Sequence, residues 1–243
     1  MKPRLEAPVL VFRRGFPERL EIDVDAFDAV PLATMPLREL VVCGVRAEHV
    51  DALVARPAIA GVNTFGLRHA TLEGPPLREL GNAPLVRAAE TFALHRGRFN
   101  TPISLGAWEL PAMHTLHIDD ANLRDVRALN DAAWLPRVRT LRLRNTQLDY
   151  SRWLSTRGWT QLVELRIENT MWDPDLARIV RSPVGQQLER LELVLGHGDV
   201  STRNALTSAK TLPRLQQLVV RTTELDFELE GLRERWGAKL TFV

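Results

Sequence analysis

A single cysteine, Cys43, stands in 243 residues. That excludes an intramolecular disulfide and any cysteine-rich zinc module, and it suits a reducing compartment. No apolar run approaches the ~18–20 residues that cross a bilayer. The run PVLVF at 8–12 is too short for a signal-peptide core, and Arg13 and Arg14 follow it. The amino terminus is therefore expected to stay in the mature protein, in the cytoplasm and off the membrane. No glycine-rich phosphate loop, nucleophile elbow or zinc-protease helix occurs, so neither a cofactor nor a catalytic residue is predicted.

Lysine is nearly missing, at Lys2, Lys210 and Lys239 only, so arginine carries the positive charge. The net charge is +2 although the sequence pI is near 9.1. Non-specific nucleic-acid binding needs a large or segregated cationic excess, and this chain has neither.

What the sequence does have is a period. Residues 138–148 read V-x-x-L-x-L-x-x-T-x-L. The same frame returns at 62–72, 89–99, 113–123, 162–172 and 215–225, more loosely at 17–27, 37–47 and 188–198, and partially at the carboxyl end. The fourth position of each copy is Leu20, Leu40, Phe65, Phe92, Leu116, Leu141, Leu165, Leu191, Leu218 and Leu240, at intervals of 20 to 27 residues.

The fourth and sixth positions lie two apart and face one side of a short strand. One such unit cannot bury its apolar edge alone, whereas stacked units share a continuous core. The intervening segments 47–56, 122–134, 173–182, 201–210 and 226–235 read as short helices, with Asp173 and Ser201 as N-caps. Pro36, Pro84, Pro111, Pro136 and Pro213 precede strands and are expected to set an extended approach. Trp108, Trp134 and Trp159 read as packing between helices and sheet.

On these copies the chain resembles a leucine-rich repeat protein over residues 17–243. It is most similar to the long-repeat, ribonuclease-inhibitor-like branch, and "RRGFPERLEIDVDAF" resembles the start of irregular bacterial members. The resemblance implies an α/β horseshoe solenoid of about ten parallel concave strands with convex helices. Residues 1–16 would form an amino-terminal cap and 17–243 the repeat solenoid, a single domain overall. The family's asparagine at position 9 is replaced here by Ala70, Gly97, Ala121, Thr146, Thr170, Gly196 and Thr223, so its ladder of side-chain amides is absent. Threonine can hydrogen-bond at that place, and Asn145 and Asn169 stand one position earlier.

Positions 3, 5 and 7 fall on the strand face away from the helices. Position 3 carries the threonine column Thr64, Thr91, Thr115 and Thr140, which suits strand packing. Along the central copies Arg68, Arg96, Arg142, Arg144 and Arg166 oppose Asp119, Asp120, Glu164 and Glu168. A phosphate-tracking groove would not cancel itself in this way, whereas a protein partner of complementary charge suits the mixture. The predicted partner-binding residues are Arg68, His95, His117, Asp119, Arg142, Arg144, Arg166 and Glu168, serving a non-enzymatic protein-interaction module. Two alternatives stay open. One is a metal-dependent hydrolase, since His95, His117 and Asp119 have donor types that hold transition metals. The other is a scaffold that self-associates through the carboxyl-terminal sheet edge.

Overall fold

The computed structural model describes residues 8–99, 105–120, 122–123, 129–146, 150–168, 176–195, 200–208, 212–222 and 230–242. The chain divides into two compact units, Met1–Trp134 and Leu135–Val243.

The first unit starts with a hairpin. Strand β1 (Val9–Arg13) pairs antiparallel with β2 (Phe16–Asp23), and the turn uses Arg14 and Gly15, both at positive φ. Thereafter the pairing is parallel through β3 (Glu39–Cys43), β4 (Thr64–Arg68), β6 (Thr91–His95) and β8 (Thr115–Asp119). Leu20, Leu40, Phe65, Phe92 and Leu116 stand in direct register. A small second sheet joins β5 (Thr71–Leu72), β7 (Arg98–Phe99) and β9 (Asn122–Leu123).

The second unit repeats the arrangement with β10 (Thr140–Arg144), β11 (Glu164–Glu168), β12 (Arg190–Leu195), β13 (Gln217–Thr222) and β14 (Leu240–Phe242), all parallel. Leu141, Leu165, Leu191, Leu218 and Leu240 are in register. The apolar frame thus sets the pairing in both units, because a one-residue slip would turn every leucine out of the core.

Two backbone devices recur with the period. The position-2 carbonyl of one copy accepts from two successive amides of the next: Asn63 O from Glu90 N and Thr91 N at 2.9 and 3.0 Å, and Val163 O from Glu189 N and Arg190 N at 2.9 and 3.0 Å. At position 8 the strand is stopped by a left-handed residue: Gly44, His69, Arg96, Asp120 and Asn145 have φ between 48° and 75°. Glycine, asparagine, aspartate and histidine tolerate that region best, which explains four of the five. The amides of Gly44, His69, Arg96 and Asn145 then donate to the position-7 carbonyl of the following strand.

The helices pack against the leucine face. Helix Val50–Val54 lies within the expected segment 47–56, and Leu176–Arg181 within 173–182. Helix Val200–Thr207 begins one residue before Ser201, which is therefore inside it rather than its cap. Helix Glu230–Trp236 takes the end of 226–235, and Asp173 lies outside the described residues. The expectation of a helix over 122–134 is corrected at its start, where Asn122 and Leu123 pair with β7 instead. Pro84 does not lead into a strand; it opens helix Pro84–Arg87, where its missing amide costs nothing. Helices Gly74–Leu80, Tyr150–Leu154 and Pro183–Gln187 were not legible in the apolar pattern.

The tryptophans have the packing role expected, with an added polar one. Trp108, Trp134 and Trp159 are buried. Trp108 Nε1 donates to Leu77 O at 2.7 Å, Trp134 Nε1 to Leu105 O at 3.0 Å and Trp236 Nε1 to Leu206 O at 3.0 Å. Each bond reaches back 29 to 31 residues, so each indole satisfies a carbonyl of the preceding copy.

Candidate functional site

The strand face away from the helices is built differently in the two units. In the first, the position-5 column Glu21, Val41, Gly66 and Ala93 is buried. Gly66 is confined by its neighbours: an added Cβ would lie 3.2 Å from Val41 Cγ2. Around this column sits a charge cluster. Glu21 Oε1 accepts from Arg68 Nη1 at 2.6 Å and from the Cys43 thiol at 3.5 Å, while Arg19 Nη2 lies 3.5 Å from Glu21 Oε2. Arg19 also reaches Glu39 at 3.4 Å. Arg68, a predicted binding residue, is thus engaged by a buried carboxylate. Burial and the adjacent Glu21 charge push the Cys43 thiol up to about 12, so it stays protonated at neutral pH.

His95 and Asp119 face each other across β6 and β8, with His95 Nδ1 3.4 Å from Asp119 Oδ2. Burial lowers the His95 pKa despite the opposing pull of Asp119. The other ring nitrogen, Nε2, is buried without a hydrogen-bond partner among the described residues. A neutral ring protonated on Nδ1 meets both conditions. His117 lies on the same strand as Asp119, at the expected register beside Ala93. Even so, among the described residues no group of three or more histidine, cysteine or acidic side chains is placed to hold a metal ion. His95, His117 and Asp119 therefore share a neighbourhood without forming such a group.

In the second unit the face is a lattice of charge. Position 5 runs Arg142, Arg166, Glu192, Val219 and position 7 runs Arg144, Glu168, Val194, Arg221 across four paired strands. Arg144 Nε lies 3.5 Å from Glu168 Oε1, and Arg166 Nη2 donates to Glu168 Oε2 at 2.9 Å. Glu192 takes Arg166, Arg190 and Arg221 at 3.4, 3.6 and 3.4 Å. Arg190 also reaches Glu164 at 3.6 Å. Arg142 stands apart: it is exposed and forms no ion pair among the described residues.

Sequence reasoning missed the two buried anchors, Glu21 and Glu192. A signal existed, because the tetrapeptide Glu-Arg-Leu-Glu occurs at 18–21 and again at 189–192, in the same frame. In both copies the second glutamate is buried and the arginine two residues before it turns onto the same face. Thr146 corrects another expectation. It is fully buried, and its hydroxyl has no hydrogen-bond partner among the described residues, so it does not replace the family's asparagine. Asn169 lies outside them. The threonine column is in register for Thr64, Thr91 and Thr115, as strand packing requires.

Parallel strands in the leucine frame, helices on one face and left-handed strand stops together define a leucine-rich-repeat α/β fold in each unit. No protein-family model matches the chain and no curated protein does. Among solved structures, an internalin from Listeria monocytogenes is similar at 14% identity and a TM-score of 0.43, over 85% of this chain and 66% of that one. Among the described residues no helix is long and apolar enough to cross a membrane.

Proposed function

We propose that the chain is a non-enzymatic protein-interaction module that binds a partner through its open strand face. The observation that carries this reading is Arg142: an exposed arginine that forms no ion pair among the described residues, held on a strand of a paired sheet. Arg144 on the same strand and Arg166 and Glu168 on the next complete this face in the second unit; in the first unit, His95, His117, Asp119 and Arg68 lie on that unit's own strands. A rigid strand platform reduces the ordering cost of binding. Against an enzymatic reading stand the buried, protonated Cys43 thiol and the engagement of the neighbouring acids and arginines in ion pairs. Affinity capture from source-cell lysate, read by mass spectrometry, tests the proposal. A partner retained by the native chain should be lost from an Arg142→Glu/Arg144→Glu variant of unchanged melting temperature. Undiminished capture would move the site elsewhere.

Self-association is a second reading with its own observation. Val9, Leu10, Val11, Phe12 and Phe16 of the amino-terminal hairpin are exposed, and at the other end so is Phe242 of β14. Neither β1 nor β14 has a second strand partner among the described residues. Sedimentation velocity of the native chain and of Phe12→Ser over a range of concentrations decides it. A concentration-independent monomer would remove this reading.

A further inference from the structure

By count, the open face of the second unit is mixed: Arg142, Arg144, Arg166, Arg190 and Arg221 against Glu164, Glu168 and Glu192. Depth sorts these charges. The glutamate side chains are sunk, Glu192 at 6%, Glu168 at 19% and Glu164 at 31% exposure. Three arginines rise above them, Arg144 at 55%, Arg221 at 46% and Arg190 at 43%, while Arg166 sits at the depth of the glutamates at 29%. Arg142 is exposed as well. The carboxylates act as fixed counter-charges beneath, and the outermost layer is guanidinium.

One feature of this layer is electrostatically unfavourable in the free protein. Arg142 and Arg166 are direct register partners on β10 and β11. Like charges opposite each other destabilise a sheet. Arg166 is compensated by Glu168 and Glu192, and Arg142 by none among the described residues. A carboxylate arriving from outside would complete the missing half of that pair, and guanidinium forks receive carboxylates bidentately.

We propose that this layer docks an acidic, carboxylate-rich peptide segment of a partner protein, with Arg142 and Arg144 as its principal contacts. The inference rests on the reading that the strand face binds a protein. Adjacent strands lie about 4.8 Å apart, so the row from β10 to β13 spans roughly 14 Å, the length of about four or five extended residues. Nucleic acid fits less well. Three carboxylates lie under the arginines, and the face positions from β10 to β13 carry no aromatic side chain on which a base could stack.

The test is fluorescence anisotropy with a labelled hexaglutamate peptide at low ionic strength. Hexalysine and a single-stranded oligodeoxynucleotide serve as rival probes. Hexaglutamate should bind the native chain, weaken with salt and lose at least about tenfold in affinity in Arg142→Glu/Arg144→Glu. The control Arg181→Glu/Arg214→Glu makes the same change in net charge at exposed sites off this face, and it should retain binding. No hexaglutamate binding, equal loss in the control, or tighter binding of the oligonucleotide would overturn the proposal. Competition separates this inference from the reading beneath it. A partner lost from Arg142→Glu/Arg144→Glu but not displaced by hexaglutamate would leave the face as the site and remove the acidic ligand. A partner still captured by that variant would remove the face itself.

Discussion

Arg68 on β4 reaches past β3 to donate from Nη1 to Glu21 Oε1 on β2 at 2.6 Å. The acid is buried and the arginine side chain keeps 29% exposure. The bond therefore ties three consecutive strands through a carboxylate that has no easy route to water. Removing Arg68 leaves the buried Glu21 with only the longer Arg19 contact at 3.5 Å, whereas removing both the acid and Arg68 leaves Arg19 still paired with Glu39. Arg68→Met should lower stability by about 2–3 kcal/mol, below the ~3–5 kcal/mol of a fully buried pair. Glu21→Leu/Arg68→Met should return close to the native value. Urea unfolding of the two single variants and the double variant measures the coupling, and strictly additive losses would disprove the tie.

Cys43 gives a chemical readout of the same cluster. Its thiol is held near 12 by burial and by Glu21, so the thiolate that alkylating reagents need is scarce at neutral pH. Iodoacetamide should leave the native chain unmodified and should label it fully in guanidinium. Rapid labelling of the folded protein would contradict the burial of this sulfur.

His95 predicts a pH dependence of defined sign. Its folded pKa lies below the ordinary 6.5, chiefly through burial. The unfolded chain therefore takes up the proton first as pH falls. The stability present above pH 6.5 declines as pH drops from there towards the folded value, and levels off below it. His95→Gln removes this contribution. Between pH 8 and 5 the native melting temperature should fall further than that of the variant, and parallel curves would show that His95 does not titrate as described.

Thr146 predicts a gain. Its hydroxyl is buried without a partner among the described residues, so it was dehydrated without compensation. Thr146→Val keeps the branched shape and replaces the hydroxyl with a methyl group. Stability should rise by about 1 kcal/mol, visible as a higher melting temperature. A loss would mean that the hydroxyl makes a bond.

Some of this was legible from residues alone, and the particular cases show why. Leu20 to Leu116 and Leu141 to Leu240 fall in register because the apolar frame recurs and strands alternate faces. That inference needs no knowledge of neighbours. The placing of Arg142, Arg144, Arg166 and Glu168 on the face away from the helices follows from the same alternation. Asn122 and Leu123 fit a helical pattern in the sequence and are strand, because their pairing is with Arg98 and Phe99 of the preceding copy.

By itself the sequence determined the repeat, its strand registers and the set of side chains on the open face. These depend on local period and on burying leucine, both of which act within about ten residues. Only the tertiary structure decided which charges sink and which rise. Glu21 is buried by an arginine 47 residues away, and Glu192 by arginines on the strands before and after its own as well as Arg190. Depth on a sheet is set by the neighbouring strands' side chains about 4.8 Å to either side. A one-dimensional charge count reads that face as balanced, although its outer layer in the second unit is arginine.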